Sequence, residues 1–312
     1  MLKKLSRNIL SSDYILMALV MIIIALSGIF YAYNEFDFHY TTHLIFATNI
    51  QAMSWIDIVM LIIFGLILFF YGIGVRKLYP YSATLIWGIG AYFWVLLANM
   101  LFANALQSTP FPPIDHTLIK IDQWMHINSA ALMRWTHEHN YIHAVFMVVY
   151  NFLEYELVFL PVMLILFGAR RRLTVFFIAQ LSSYLIGGLI YYFWPTMAPS
   201  GIIHSPYFLP EQHDTSMRFY DVHHFIKTNA TDGGLIAFPS FHVCWAILLT
   251  YTAYGKKIFF YPLCVINLML IASTVFLGWH YGVDVIGGAI IATLGIWFAE
   301  KITKRREPRA HQ

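Results

Sequence analysis

His280 and Asp284 stand four residues apart in His-Tyr-Gly-Val-Asp, and His242 closes a second short string, Phe238-Pro-Ser-Phe-His242. On a helix, residues four apart share a face. A carboxylate there can hold one imidazole nitrogen as N–H and leave the other free as a nucleophile, the base-and-orienter logic of covalent catalysis. Alone, the pair would serve equally as a structural contact between two helices. The second string adds a phosphate site and an acid. Pro239 and Ser240 open an apolar run, with Ser240 placed as an N-cap. A helix start offers unpaired N–H groups and a positive dipole end, which favours phosphate. His242 falls in that first turn, where an imidazole can protonate a departing oxygen.

Both strings start long apolar segments, and so do most parts of the chain. Of its 312 residues, 59% are hydrophobic and 11% charged, against about 25% charged in soluble domains. The fold class is all-α and polytopic, with about eight transmembrane helices. The apolar runs are Tyr14–Tyr33, Ile56–Val75, Ala83–Leu106, Ile142–Gly168, Leu173–Trp194, Phe238–Tyr254, Ile258–Leu277 and Tyr281–Glu300. A span needs about 17–25 residues, so the sixth is short. Ionisable groups at membrane depth are costly and usually mark function. His242, His280 and Asp284 lie there, all near one bilayer face.

Basic residues set the orientation. Lys3, Lys4 and Arg7 precede the first run; Arg76 and Lys77 follow the second. Arg170, Arg171 and Arg172 follow the fourth, Lys256 and Lys257 the sixth, and Lys301, Lys304, Arg305, Arg306 and Arg309 the eighth. That is fifteen of the 19 Lys and Arg residues on one side. The positive-inside rule then makes both termini cytoplasmic and turns the histidines outward, toward the periplasm if the membrane is a bacterial inner one. The apolar start of Met1–Tyr33 is longer than a signal h-region and reads as an uncleaved anchor. The net charge of +3 suits anionic lipid and gives no sign of nucleic acid. Cys244 and Cys264 both fall inside spans and read as apolar filler, not a disulfide framework.

The chain divides into residues 1–82, two N-terminal helices; residues 83–300, a six-helix core with outer loops 107–141 and 195–237; and a basic cytoplasmic tail, residues 301–312. In the first of these outer loops, Ile114, Leu118, Ile121 and Met125 recur at helical spacing, with Asp115, Lys120 and Asp122 between them. This favours a helix lying in the interface over one packed as a lid on the site. Asp221, His223 and His224 match no standard ligand spacing, so no metal is expected. Gly287 and Gly288 suit close helix packing.

Pro239, Ser240 and His242, with Ser273, His280 and Asp284, resemble the membrane branch of the type 2 phosphatidic acid phosphatase superfamily. That family carries Pro-Ser-X-His and Ser-Arg-X5-His-X3-Asp. The resemblance covers roughly Leu173 to Glu300. It implies that His280 attacks phosphorus, Asp284 orients it, His242 protonates the departing alcohol and Ser240 helps hold the phosphate, with no cofactor. Two departures stand out. Thr274 replaces the Arg of the second motif, and the family's Lys-X6-Arg-Pro motif is absent, with Gly187 and Trp194 at its basic positions. Ser-Thr-X5-His-X3-Asp and Trp194-Pro-Thr-Met-Ala-Pro199 look more like the inositol phosphorylceramide synthase (inositolphosphotransferase) branch, whose members move phospho-headgroups between lipids.

A phosphate still needs compensating charge, and Arg218 and Lys227 are the best candidates for it. Glu154 could receive an incoming hydroxyl, with Glu156 a weaker candidate; either could instead lie at the interface. The expected activity is cleavage of a phospholipid or sphingolipid-type phosphoester through a phosphohistidine, with transfer to water or a second alcohol. The competing class is a transporter or lipid flippase with a His/Asp proton relay. Its sites usually lie near the midplane, whereas these residues gather at one face.

Overall fold

A computed structural model describes residues 9–34, 55–224, 226 and 238–304. Lys227, with residues 35–54 and residues 305–312 of the tail, lies outside them. Among the described residues there are eleven α-helices and a 3-10 turn at Pro199–Gly201. In chain order the helices are α1 (Ser11–Tyr33), α2 (Trp55–Val75), α3 (Pro80–Gln107), α4 (Asp115–Trp124), α5 (Ser129–Glu138), α6 (Asn140–Leu166), α7 (Arg170–Phe193), α8 (Pro210–His223), α9 (Phe241–Thr252), α10 (Lys257–Phe276) and α11 (Gly282–Lys304).

All eight apolar runs are helical. Six of these helices, α1, α3, α6, α7, α10 and α11, are long and apolar enough to cross a membrane, while residues 59–75 of α2 and the whole of α9 are apolar but shorter. The protein is therefore a polytopic all-α membrane protein. Local chemistry explains the shortness of α9. Ser240 caps its start, and Gly255, at φ +81°, follows closely on its end, a conformation that glycine adopts without Cβ strain.

Helix α7 is the most buried of the six long helices. Ser183 on it donates to the Ile291 carbonyl of α11 at 2.9 Å, and a Cβ on Gly295 would stand 2.7 Å from the Ala179 carbonyl oxygen. Small residues thus let two backbones close on each other where hydrocarbon supplies no competing partner. Trp87, Phe102 and Phe177 fill the space between α3 and α7. Cys244 and Cys264 are unpaired.

The basic residues collect at one end of the bundle. Asp13, buried at the start of α1, receives Arg76 and Arg170, each at 2.8 Å. Arg170 also lies 3.7 Å from the Trp87 ring centroid. Arg171 pairs with Glu300 at 2.7 Å, and Arg172 donates to the Thr252 carbonyl at 3.1 Å. The starts of α1 and α7 and the ends of α2, α9 and α11 are thereby tied together.

The three polar helices cover the opposite end. Ile114 N–H donates to the Pro195 carbonyl at 2.8 Å, Thr136 to the Phe276 carbonyl at 3.1 Å, and Gln212 to the Leu277 carbonyl at 3.0 Å. Here the interfacial reading of α4 is corrected. Its buried face is Asp115, Leu118 and Asp122, while Ile114, Ile121 and Met125 are only half-buried. Both acids turn inward toward donors: Asp122 accepts from backbone N–H groups at the start of α11, and Asp115 from the Tyr281 hydroxyl and Met197 N–H.

Removing Asp13 would strand two largely buried guanidinium groups. Asp13→Ala should cost about 2–4 kcal/mol, read as a lower melting temperature in detergent. Gly28, with nothing near its missing Cβ, is the control: Gly28→Ala should be neutral or slightly stabilising.

Candidate active site

Helix α10 ends at Phe276, and Gly278, at φ +79°, turns the chain back. The Thr274 carbonyl then accepts from both Trp279 N–H and His280 N–H at 3.0 Å, so His280 hangs from the end of one helix just before the next begins. Asp284, in the first turn of α11, accepts from Tyr281 N–H at 2.8 Å through Oδ2. The same oxygen lies 3.3 Å from His280 Nδ1. With Nδ1–H given to a carboxylate, Nε2 carries the ring's lone pair. It faces His242 Nδ1, also at 3.3 Å, so His242 is the donor in that bond. Asp284 and His280 are buried. Asp284 Oδ1 has no hydrogen-bond partner among the described residues.

His242 is held by the capped turn before it and by one ring contact. Ser240 Oγ accepts from Val243 N–H at 3.3 Å, which caps α9. Ser240 N–H donates to the Asp284 carbonyl at 3.1 Å, joining the starts of α9 and α11. Tyr150 of α6 stacks on the His242 ring at 4.6 Å and 20°, and Trp279 stacks on Tyr150 at 5.2 Å and 10°. The approach of α9 to α11 needs glycine. A Cβ on Gly288 would run into the Ser240 carbonyl and lie 3.0 Å from Val243 Cβ.

A layer of carboxylates backs the α11 start. Asp122 accepts from Gly282 N–H at 2.8 Å and Val283 N–H at 2.9 Å. Asp115 accepts from the Tyr281 hydroxyl at 2.8 Å and from Met197 N–H at 2.9 Å. Burial pushes both carboxyls above the usual aspartate range, and these donors pull them back. The Met197 bond gives the Trp194–Pro199 run a role: it ties the 195–237 segment to the 107–141 segment.

The other candidate residues are dispersed. Ser240 is fully buried in its cap. Arg218 is buried in α8, its Nε donating to Gln107 at 2.7 Å. Glu154 is exposed on α6, one turn beyond Tyr150. Glu156 is buried, accepting from Asn267 at 3.0 Å. Lys227 lies outside the described residues. Thr274 is fully buried and its hydroxyl donates to the Ile271 carbonyl at 2.7 Å, so the place of the family arginine is packed among helices. His223 stacks on Phe219; burial, with the neighbouring His224, pushes it down to about 4.

A model of the PAP2 superfamily matches residues 116–298, more than half of the chain. The chain belongs to the PAP2 superfamily. The match begins well upstream of Leu173 and takes in α4 to α10 and most of α11, so it includes Asp122 and Tyr150. It supports an enzyme of phosphatase or phosphotransferase type. No curated protein and no solved structure matches the chain.

Sequence reasoning missed Asp115, Asp122, Tyr150 and Trp279. A signal existed for the first two: with Leu118 they recur at i, i+3 and i+7, one helical face. Nothing marked Tyr150 among the many aromatics of the spans. Because Gly288 sets the distance between α9 and α11, Gly288→Ala should part the histidines. Turnover should fall by about 10²-fold, the usual cost of misplacing reacting groups by about 1 Å, with protein still extractable in detergent.

Proposed function

We propose that the enzyme is a lipid phosphotransferase or phosphatase acting at the extracytoplasmic face through a phosphohistidine on His280. The observation that carries this reading is the relay Asp284–His280–His242, two bonds of 3.3 Å each. In the first step the His280 Nε2 lone pair attacks phosphorus. The bond from phosphorus to the lipid alcohol breaks, and the Nδ1 proton of His242 goes to the departing oxygen. In the second, water or an alcohol gives its proton back to His242 and attacks phosphorus, releasing His280. Splitting one displacement into two lowers each barrier.

The two imidazoles are too close together to hold a phosphoryl group between them. Substrate therefore replaces their mutual bond, Nε2 turning to phosphorus and Nδ1–H to the leaving oxygen. The first-turn N–H groups of Phe241 and His242, without a protein acceptor among the described residues, suit the phosphoryl oxygens. Arg218 and Lys227 are the cations this reading assigns to the phosphate, with Ser240 acting through the turn it caps. Glu154, a turn from Tyr150, is assigned to the incoming hydroxyl.

The packed Thr274 favours a phosphodiester substrate, as in the inositolphosphotransferase-like branch, since a diester carries less charge than a monoester. The substrate would be a phospholipid or sphingolipid. In this reading the basic end of the bundle faces the cytoplasm of a bacterium, the site faces the periplasm, and both termini are cytoplasmic.

Labelled phosphodiester and phosphomonoester lipids in detergent, with and without acceptor alcohols, test this. Headgroup release should fall by about 10³-fold or more in His280→Ala and by about 10²–10⁴-fold in His242→Ala. Diesters should turn over faster, and acceptors should divert product from hydrolysis. Full activity in His280→Ala, or movement of intact lipid without bond cleavage, would sink the reading.

A further inference from the structure

Every backbone N–H from Tyr281 to Val283 is held by a carboxylate, and two of those three bonds come from a helix 160 residues away in sequence. Asp122 takes both Gly282 N–H and Val283 N–H, at 2.8 and 2.9 Å. Asp284 takes Tyr281 N–H at 2.8 Å, and Asp115 takes the Tyr281 hydroxyl at 2.8 Å. All three aspartates are buried. The first N–H groups of a helix have no partner within it. Here a bidentate side chain on another element supplies one.

We propose that Asp122 is a positioning residue for the nucleophile, with Asp115 as its auxiliary through Tyr281. This rests on the reading of His280 given above. Asp122 fixes where α11 begins. That start sets the height of Asp284, and Asp284 Oδ2 sets which nitrogen of His280 keeps its proton. The connection from His280 to Asp284 is a single turn, so a slip of the Gly282–Val283 backbone moves the carboxylate relative to the ring. A second consequence concerns the phosphate. Asp122 fills the N-terminal donors of α11 with negative charge, which leaves the start of α9 as the anion-binding helix end of the pair. Outer helix α4 is thereby part of the catalytic apparatus.

Asp122→Asn tests this. The amide keeps one acceptor and turns N–H groups toward the second donor, so the α11 start loosens while volume is conserved. With bis(p-nitrophenyl) phosphate as diester probe, kcat should fall by about 10–100-fold while KM stays within about threefold. The melting temperature in detergent should move by less than about 5 °C. Tyr281→Phe, which removes only the Asp115 bond, should show a smaller fall in kcat, again at constant KM. A spectroscopic reading stands apart from turnover. In histidine-selective ¹⁵N spectra the Nδ1–H signal, identified by its absence in His280→Ala, should broaden or vanish in Asp122→Asn. If Asp122→Asn does not fold, Asp122→Glu keeps the charge, displaces it by one methylene, and should show the same loss of kcat.

Wild-type kcat with an unchanged Nδ1–H signal in a folded Asp122 variant would overturn the inference. So would a loss confined to KM or to melting temperature. If His280→Ala itself retains turnover, the reading of the nucleophile fails, which is a different result. Asp122→Asn at full activity beside an inactive His280→Ala refutes the positioning role alone.

Discussion

The backbone hydrogen bond from Ser240 N–H to the Asp284 carbonyl joins two helices at the point where each begins. It forms only because Gly288 lets the α9 backbone lie against α11. In hydrocarbon an unmatched N–H is expensive, so this bond has no solvent alternative. The separation of His242 and His280 follows from it. Each ring is anchored within a few bonds of the junction, His242 two residues after Ser240 and His280 four before Asp284. The site is therefore as rigid as the helix crossing, and Tyr150, itself backed by Trp279, stacks on His242 and restricts its ring.

Charge is sorted along the bundle axis. One end binds arginines to Asp13, Glu300 and a helix carbonyl. The other gathers three buried aspartates, each with backbone or hydroxyl donors, around the start of α11. Hydrogen-bond donors supply most of the neutralisation at the second end, whereas ion pairs do so at the first. That contrast matches the loss of the family's arginine at Thr274, a position given over to helix packing.

Much of this was legible in the sequence. Apolar runs bounded by Arg76–Lys77, Arg170–Arg172 or Lys256–Lys257 yield helix positions to within a few residues. The Ser240 cap and the packing role of Gly288 follow from local rules. His280 and Asp284 do meet, but not on one face of a shared helix as their spacing predicts, because His280 lies in the bend before α11 begins at Gly282. Partner choice was not legible. Asp115 and Asp122 looked like the wet side of an amphipathic helix because their donors are backbone groups far away in sequence. Glu154 and Glu156 lie two apart, so a helix turns them to different sides. Asn267 decides which is buried, and no local pattern reveals it. The shortness of α9 was legible too, since the sixth apolar run is short and gives way to Gly255, Lys256 and Lys257.

The bond between the two imidazoles has a kinetic meaning. If His280 is the nucleophile, as proposed, its lone pair is engaged by His242 Nδ1 at 3.3 Å, and the proton in that bond is the one that would leave with the alcohol. Under that reading the enzyme would be self-quenched. Small electrophiles and stray oxyanions meet an occupied lone pair, and only a ligand able to engage both rings at once can exchange that internal contact for a new one. Latency of this kind would guard a nucleophile that sits permanently beside a membrane full of phosphoesters.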